Sequence, residues 1–135
     1  SNDPAEMDLL IMQELFADSP LDSVLFEAMV EEKTVMIDME DRKVYVCRLV
    51  SMGEPNENEA ADQEIAIVPI LSGYRDKITL KVHLTTKYKG LNVNSAVVLK
   101  QENIVSVREF EWDVWEKFNP ESREETPVIP SVEDD

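Results

Sequence analysis

A chain of 135 residues, 43% of them hydrophobic, carrying a net charge of −16 and one cysteine, has room for one domain with a modest core, and this composition excludes wholesale disorder. No stretch approaches the ~18 consecutive apolar residues that a membrane span needs, and with Cys47 as the sole cysteine no intrachain disulfide can form, so a reducing, cytoplasmic setting is expected. The charge is uneven: residues 1–32 carry −9, residues 33–110 balance to zero and residues 111–135 carry −7, which argues against strong nonspecific affinity for nucleic acid while leaving a local basic patch open in the neutral middle.

The first residues, Ser-Asn, are not an initiator methionine, which leaves an upstream segment, a membrane anchor included, open. Asp3-Pro4 followed by Glu6 reads as a helix start, and Met7, Leu10, Ile11 and Leu15 recur at helical spacing, with Leu9, Met12 and Phe16 widening the apolar stripe. Ser19-Pro20-Leu21-Asp22 is a stronger start signal, with Ser19 as cap and Asp22 at the capping-box position. Leu21, Val24, Leu25, Ala28 and Met29 then follow an amphipathic stripe, with Glu27, Glu31 and Glu32 off it.

From Thr34 the period changes from 3.6 to 2. Val35, Ile37 and Met39 alternate with Met36, Asp38 and Glu40, the pattern of a strand with one wetter face; Asp41-Arg42-Lys43 is a turn, and Val44 to Val50 is a β-branched, aromatic-bearing strand. Residues 54–64 form a solvated excursion. Ile65 to Leu71 reads as a buried strand, with Pro69 pointing to an edge or a bulge, and Ser72 to Asp76 as a loop. Lys77 to Tyr88 alternates cleanly, placing Ile78, Leu80, Val82 and Leu84 on one face and Lys77, Lys81, His83 and Lys87 on the other. Gly90 to Ser95 is a loop, Ala96–Leu99 and Ile104–Arg108 are short strands, and Trp112 to Phe118 is one or two helical turns that place Trp112, Trp115 and Phe118 as a plug. The expectation is a mainly β fold: a small, strongly bent barrel of five to six antiparallel strands, with one or two N-terminal helices and a short C-terminal helix. Residues 1–18 form an acidic, apolar helix or arm, 19–118 the domain, and 119–135 an acidic, proline-containing tail expected to be disordered.

Val35 to Ser51 resembles the first motif of Sm and LSm proteins, with Asp41 and Lys43 at the polar turn and Tyr45, Leu49 and Val50 at aliphatic or aromatic positions. Val97-Val98-Leu99-Lys100-Gln101 followed by Ile104-Val105-Ser106-Val107 is similar to the second motif. The closest likeness is to divergent bacterial or phage-type Sm-like proteins of unassigned role. Arg42 and Cys47 stand where that family commonly has glycine, and the arginine-glycine pair of the second motif and the asparagine of the nucleotide-binding position are missing. The resemblance implies a bent five-stranded sheet that assembles into homo-oligomeric rings through its edges, commonly on uridine-rich or adenine-rich RNA.

Catalytic, cofactor and metal chemistry find little support. There is one histidine and one cysteine, no Gly-x-Ser-x-Gly or Walker loop, and only Gly53, Gly73 and Gly90 from which to build a phosphate cradle. No enzyme, cofactor or metal is expected. The candidate contact residues are Lys77, Lys81, His83 and Lys87, as a cationic strand face, and Tyr74 with Arg75, on a loop able to stack and pair a base. The plainer readings are a solvated strand face and an Arg75–Asp76 lock on the turn. Cys47 is read as packing. The expected function is a non-catalytic scaffold that forms a homo-oligomer, with a divergent RNA-binding protein as the alternative and a small enzyme third.

Overall fold

The computed structural model describes residues 9–11, 13, 14, 19–53, 63–90 and 92–119. Residues 54–62 of the expected excursion and 120–135 of the expected tail lie outside them, as does most of the N-terminal arm, of which residues 9–11, 13 and 14 are helical. The element order is α1 (Pro20–Val30), β1 (Val35–Met39), β2 (Lys43–Met52), β3 (Glu64–Arg75), β4 (Val82–Lys87), β5 (Val97–Lys100), β6 (Ile104–Glu109) and α2 (Trp112–Phe118), with short 3-10 turns at Val93–Ser95 and Gln101–Asn103.

All six strands join one antiparallel sheet in the order β4-β3-β2-β1-β6, and β5 also pairs with β3. The mainly β expectation holds, but the sheet is not closed into a barrel. β6 pairs only with β1, and β4 and β5 share the outer edge of β3. β3 makes this possible by its length: Ile65–Ile67 face β5 and Leu71–Arg75 face β4, while nearly its whole length pairs with β2. The register slips by one residue where Val46 opposes Leu71 but Cys47 opposes Pro69, so Ile70 is a bulge beside the proline, as its placement in a strand demands. Similar slips at Val50, Thr85 and Val105 add to the bending.

The sheet is dry on both faces. On one, Leu25 and Ala28 of α1 pack on Val35, Ile37, Tyr45, Cys47, Ile65 and Ile67. On the other, Met36, Val44, Val46, Leu71, Val82 and Leu84 are covered by Phe110, Trp112 and Trp115. β1 is therefore buried throughout, which corrects the wetter face expected for it: the sequence alternation reports two different cores rather than core and solvent. Each fully buried aliphatic side chain here contributes about 1.5–3 kcal/mol. α1 begins where its signals place it, the Ser19 hydroxyl accepting from the Asp22 amide at 3.2 Å. The Asp22 carboxylate reaches instead to the Gln101 side chain and ties the helix to the β5–β6 turn. The Cys47 thiol is wholly buried, which pushes its pKa up to about 12 and leaves it a packing group. Of the aromatic plug, Trp112 and Trp115 pack on the sheet, but Phe118 is exposed. No helix among the described residues is long and apolar enough to cross a membrane.

Two sequence readings around β4 are overturned. Ser72 to Arg75 is the end of β3 rather than a loop, and the strand expected from Lys77 begins only at Val82. Asp76 explains the change: its carboxylate accepts the Ile78 and Thr79 amides, each at 2.8 Å, and so closes a turn in place of the strand's first half. Ile78 is 82% exposed as a result. These bonds, the one from Thr79 foremost, hold the Asp76 pKa below its ordinary value. Gly73 permits β3 and β4 to approach, since a Cβ there would lie 1.8 Å from the His83 carbonyl oxygen. Gly73→Ala is accordingly expected to destabilise the domain by at least ~2 kcal/mol in urea unfolding, through overpacking against backbone. A change below ~0.5 kcal/mol would show that the two strands do not meet this closely.

Candidate functional site

The six candidate residues do not form one site. The turn at Asp76 takes Lys77 and Lys81 out of the strand. Lys87 pairs across to Leu71, and cross-strand partners share a face, so it lies on the α2 side of the sheet, where desolvation lowers its ammonium pKa. The cationic stripe is thereby dispersed. What the register does bring together is Tyr74 and His83, which are direct partners on β3 and β4. Their rings stack with centroids 5.1 Å apart and planes inclined by 25°.

Lys43 extends this pair. It is the partner of Tyr74 on β2, so Lys43, Tyr74 and His83 form one row across three strands on the α1 side of the sheet. Its ammonium lies 5.4 Å from the centre of the Tyr45 ring, and a hydrogen bond to the Tyr45 side chain raises its pKa above the ordinary value. In the adjacent row the Ser72 and Tyr88 hydroxyls are 3.0 Å apart. The chain's three tyrosines and its single histidine thus cluster at the hairpin end of one sheet face. Tyr74 remains 48% exposed and presents a ring to solvent. Lys43 escaped the sequence reading because the pairing of β2 with β3 decides its neighbours and no local motif announces that register.

Arg75 is used elsewhere. Its guanidinium grips Asp38 in a two-point contact, Nε to Oδ1 at 3.0 Å and Nη2 to Oδ2 at 3.1 Å, and Nη1 donates to the Leu80 carbonyl at 2.7 Å. The Ser106 hydroxyl donates to the same carboxylate at 2.9 Å. Asp38 is 6% exposed, so these donors replace its water. The partner of Arg75 is therefore Asp38 rather than the neighbouring Asp76. A groove of about 300 Å³ opens over this contact, with Arg42 and Arg108 at its sides and Glu40 beside them. Arg42, in the β1–β2 turn, adopts the left-handed conformation that favours glycine, at φ 70°.

No protein-family model matches the chain, and no match is found among curated proteins.

Chemically, the Tyr74–His83–Lys43 row offers an aromatic surface beside a cation, suited to stacking and charge pairing. The Asp38–Arg75 contact is saturated by its own partners and serves as a clasp. Among the described residues no group of three histidine, cysteine or acidic side chains is gathered as a metal site would require. Removing the clasp should cost more than removing an exposed ion pair. Arg75→Met is expected to lose about 2–3 kcal/mol in urea unfolding, because it strands the Asp38 carboxylate, and Asp38→Asn/Arg75→Met should recover part of that loss. A loss within ~0.5 kcal/mol for Arg75→Met would show the contact to be solvated.

Proposed function

We propose that this chain is a non-catalytic interaction domain of Sm-like design that assembles with copies of itself through its sheet edges. The supporting observation is the open sheet: β5 and β6, joined by the 3-10 turn Gln101–Asn103, each pair on one side only. Both carry exposed valines, Val98 at 60% and Val105 at 65%. Unpaired edges are costly in solution, and pairing β5 of one copy with β6 of the next, repeated around a closed ring, satisfies these two, leaving the outer edge of β4. The order of elements favours the same reading, since a helix preceding a bent five-stranded sheet is what the resemblance implies, with β4 as an addition. Light scattering over a concentration series should report a defined oligomer, and Val98→Lys or Val105→Lys should shift it toward monomer. A wild-type chain that stays monomeric throughout would defeat the proposal.

A second reading is favoured by the aromatic row. Single-stranded RNA could lay a base on the exposed Tyr74 ring and a phosphate near Lys43. Fluorescence anisotropy with oligo-U and oligo-A at low salt should then show an affinity that falls with salt and drops about tenfold in Tyr74→Ala. No binding at tens of micromolar, or binding indifferent to Tyr74, would remove this reading.

A further inference from the structure

A groove on the helical side of the domain is lined by none of the residues of the aromatic row. It holds about 450 Å³ between the helical residues 9–11 and 13 and α1, and Leu9, Leu10, Phe26 and Val30 supply its apolar lining. Leu9, Leu10 and Val30 are exposed, Leu10 to 61%, over a buried Phe26, and Ile11 and Val24 add exposed apolar area. A contiguous apolar surface of this kind on a soluble domain marks a contact. The charged groups lining it are Glu27 and Glu31, both acids. The nearby Lys33 ammonium is held by those two carboxylates at 3.1 and 3.3 Å, and more distantly by Glu109 at 4.0 Å. Residues 1–32, which include every residue lining the groove, contain nine acids and no base.

We infer that this groove receives a basic amphipathic helix from another protein. Charge decides among the occupants. A second copy would bring like charge against like charge, and an anionic lipid surface would be repelled in the same way. A partner with lysines or arginines flanking an apolar stripe matches both the lining and its rim. Backbone chemistry selects a helix over an extended strand. α1 is helical throughout, its amides and carbonyls turned inward to its own ladder, so it offers no row of free groups for a strand to pair with. The partner must satisfy its own backbone while inserting side chains at i, i+3, i+4 and i+7. This inference stands apart from assembly through β5 and β6, and either can fail without the other.

The test uses the full chain and three synthetic peptides of about 18 residues, long enough to hold a helix on contact. The first carries leucines on one helical face and lysines on the other; the second has the same composition with the periodicity scrambled; the third replaces lysine with glutamate. The inference expects the first to bind, at an affinity that falls with salt, and the other two to bind at least about tenfold more weakly. Leu10→Ser and Val30→Ser, both at exposed positions, should each weaken the first peptide several-fold. Glu27→Lys/Glu31→Lys should turn the preference toward the glutamate peptide. Equal binding of the scrambled peptide, or binding indifferent to Leu10 and Val30, would overturn the inference, as would no binding. Two control arms test the other occupants: oligomerisation lost in Leu10→Ser would identify a second copy, and binding to vesicles of anionic lipid lost in the same variant would identify a membrane. Either result overturns the inference.

Discussion

A carboxylate buried in an interior strand is the constraint on which much of this domain turns. Asp38 lies in β1, between β2 and β6, at 6% exposure. An ionised group there is tolerable only where donors stand in for water. The donors come from distant chain positions, Arg75 at the end of β3 and Ser106 on β6. Satisfying Asp38 therefore fixes where β3 ends and how β6 aligns, and β6 places a bulge at Val105 beside Ser106 in doing so. The same guanidinium reaches the Leu80 carbonyl, so the turn that shortens β4 is tied to the clasp as well.

That constraint explains why the sequence was legible in parts. Local signals were sound wherever the physics is local: Ser19-Pro20 starts α1, the period change at Thr34 opens the sheet, Pro69 marks a bulge, and Gln101–Asn103 separates two short strands. Readings went astray where a distant partner decides. The alternation from Lys77 is real as a pattern, yet one carboxylate accepting two amides outweighs it. Asp38 reads locally as a wet-face residue, and nothing near it in sequence points to a partner 37 residues away. The aromatic row was half legible: Tyr74 and His83 stand out by residue type, but only strand pairing brings them together and adds Lys43.

The two faces of the sheet are closed by unlike means. α1 covers one with an eleven-residue helix anchored at its N-terminal end, by its Ser19 cap and by the Asp22–Gln101 contact to the β5–β6 turn. The other is covered by Phe110, Trp112 and Trp115, whose rings lie about 6 Å apart, Phe110 to Trp112 at 6.0 Å and Phe110 to Trp115 at 5.9 Å. Bulky aromatics let seven helical residues cover what would otherwise need a longer helix. The aromatic row meanwhile sits on the α1 face, at the hairpin end. A row of polar aromatics and a lysine tolerates that partly wet position, where an aliphatic core residue would leave apolar area in water.

Charge distribution bears on how these surfaces can be used together. The edge strands β5 and β6 belong to the part of the sequence where acids and bases balance, and the acidity lies before and after it. Edge-to-edge pairing of copies therefore meets little net repulsion along the strands themselves. α1 carries acid without base, so this surface resists the approach of another copy of itself. A chain so divided can present its edges to like molecules and its helical face to unlike ones. The net charge of −16, which read as a whole speaks only of solubility, would under the proposed assembly and docking act as orientation, favouring the neutral edges for self-association and the apolar helical groove for a cationic partner.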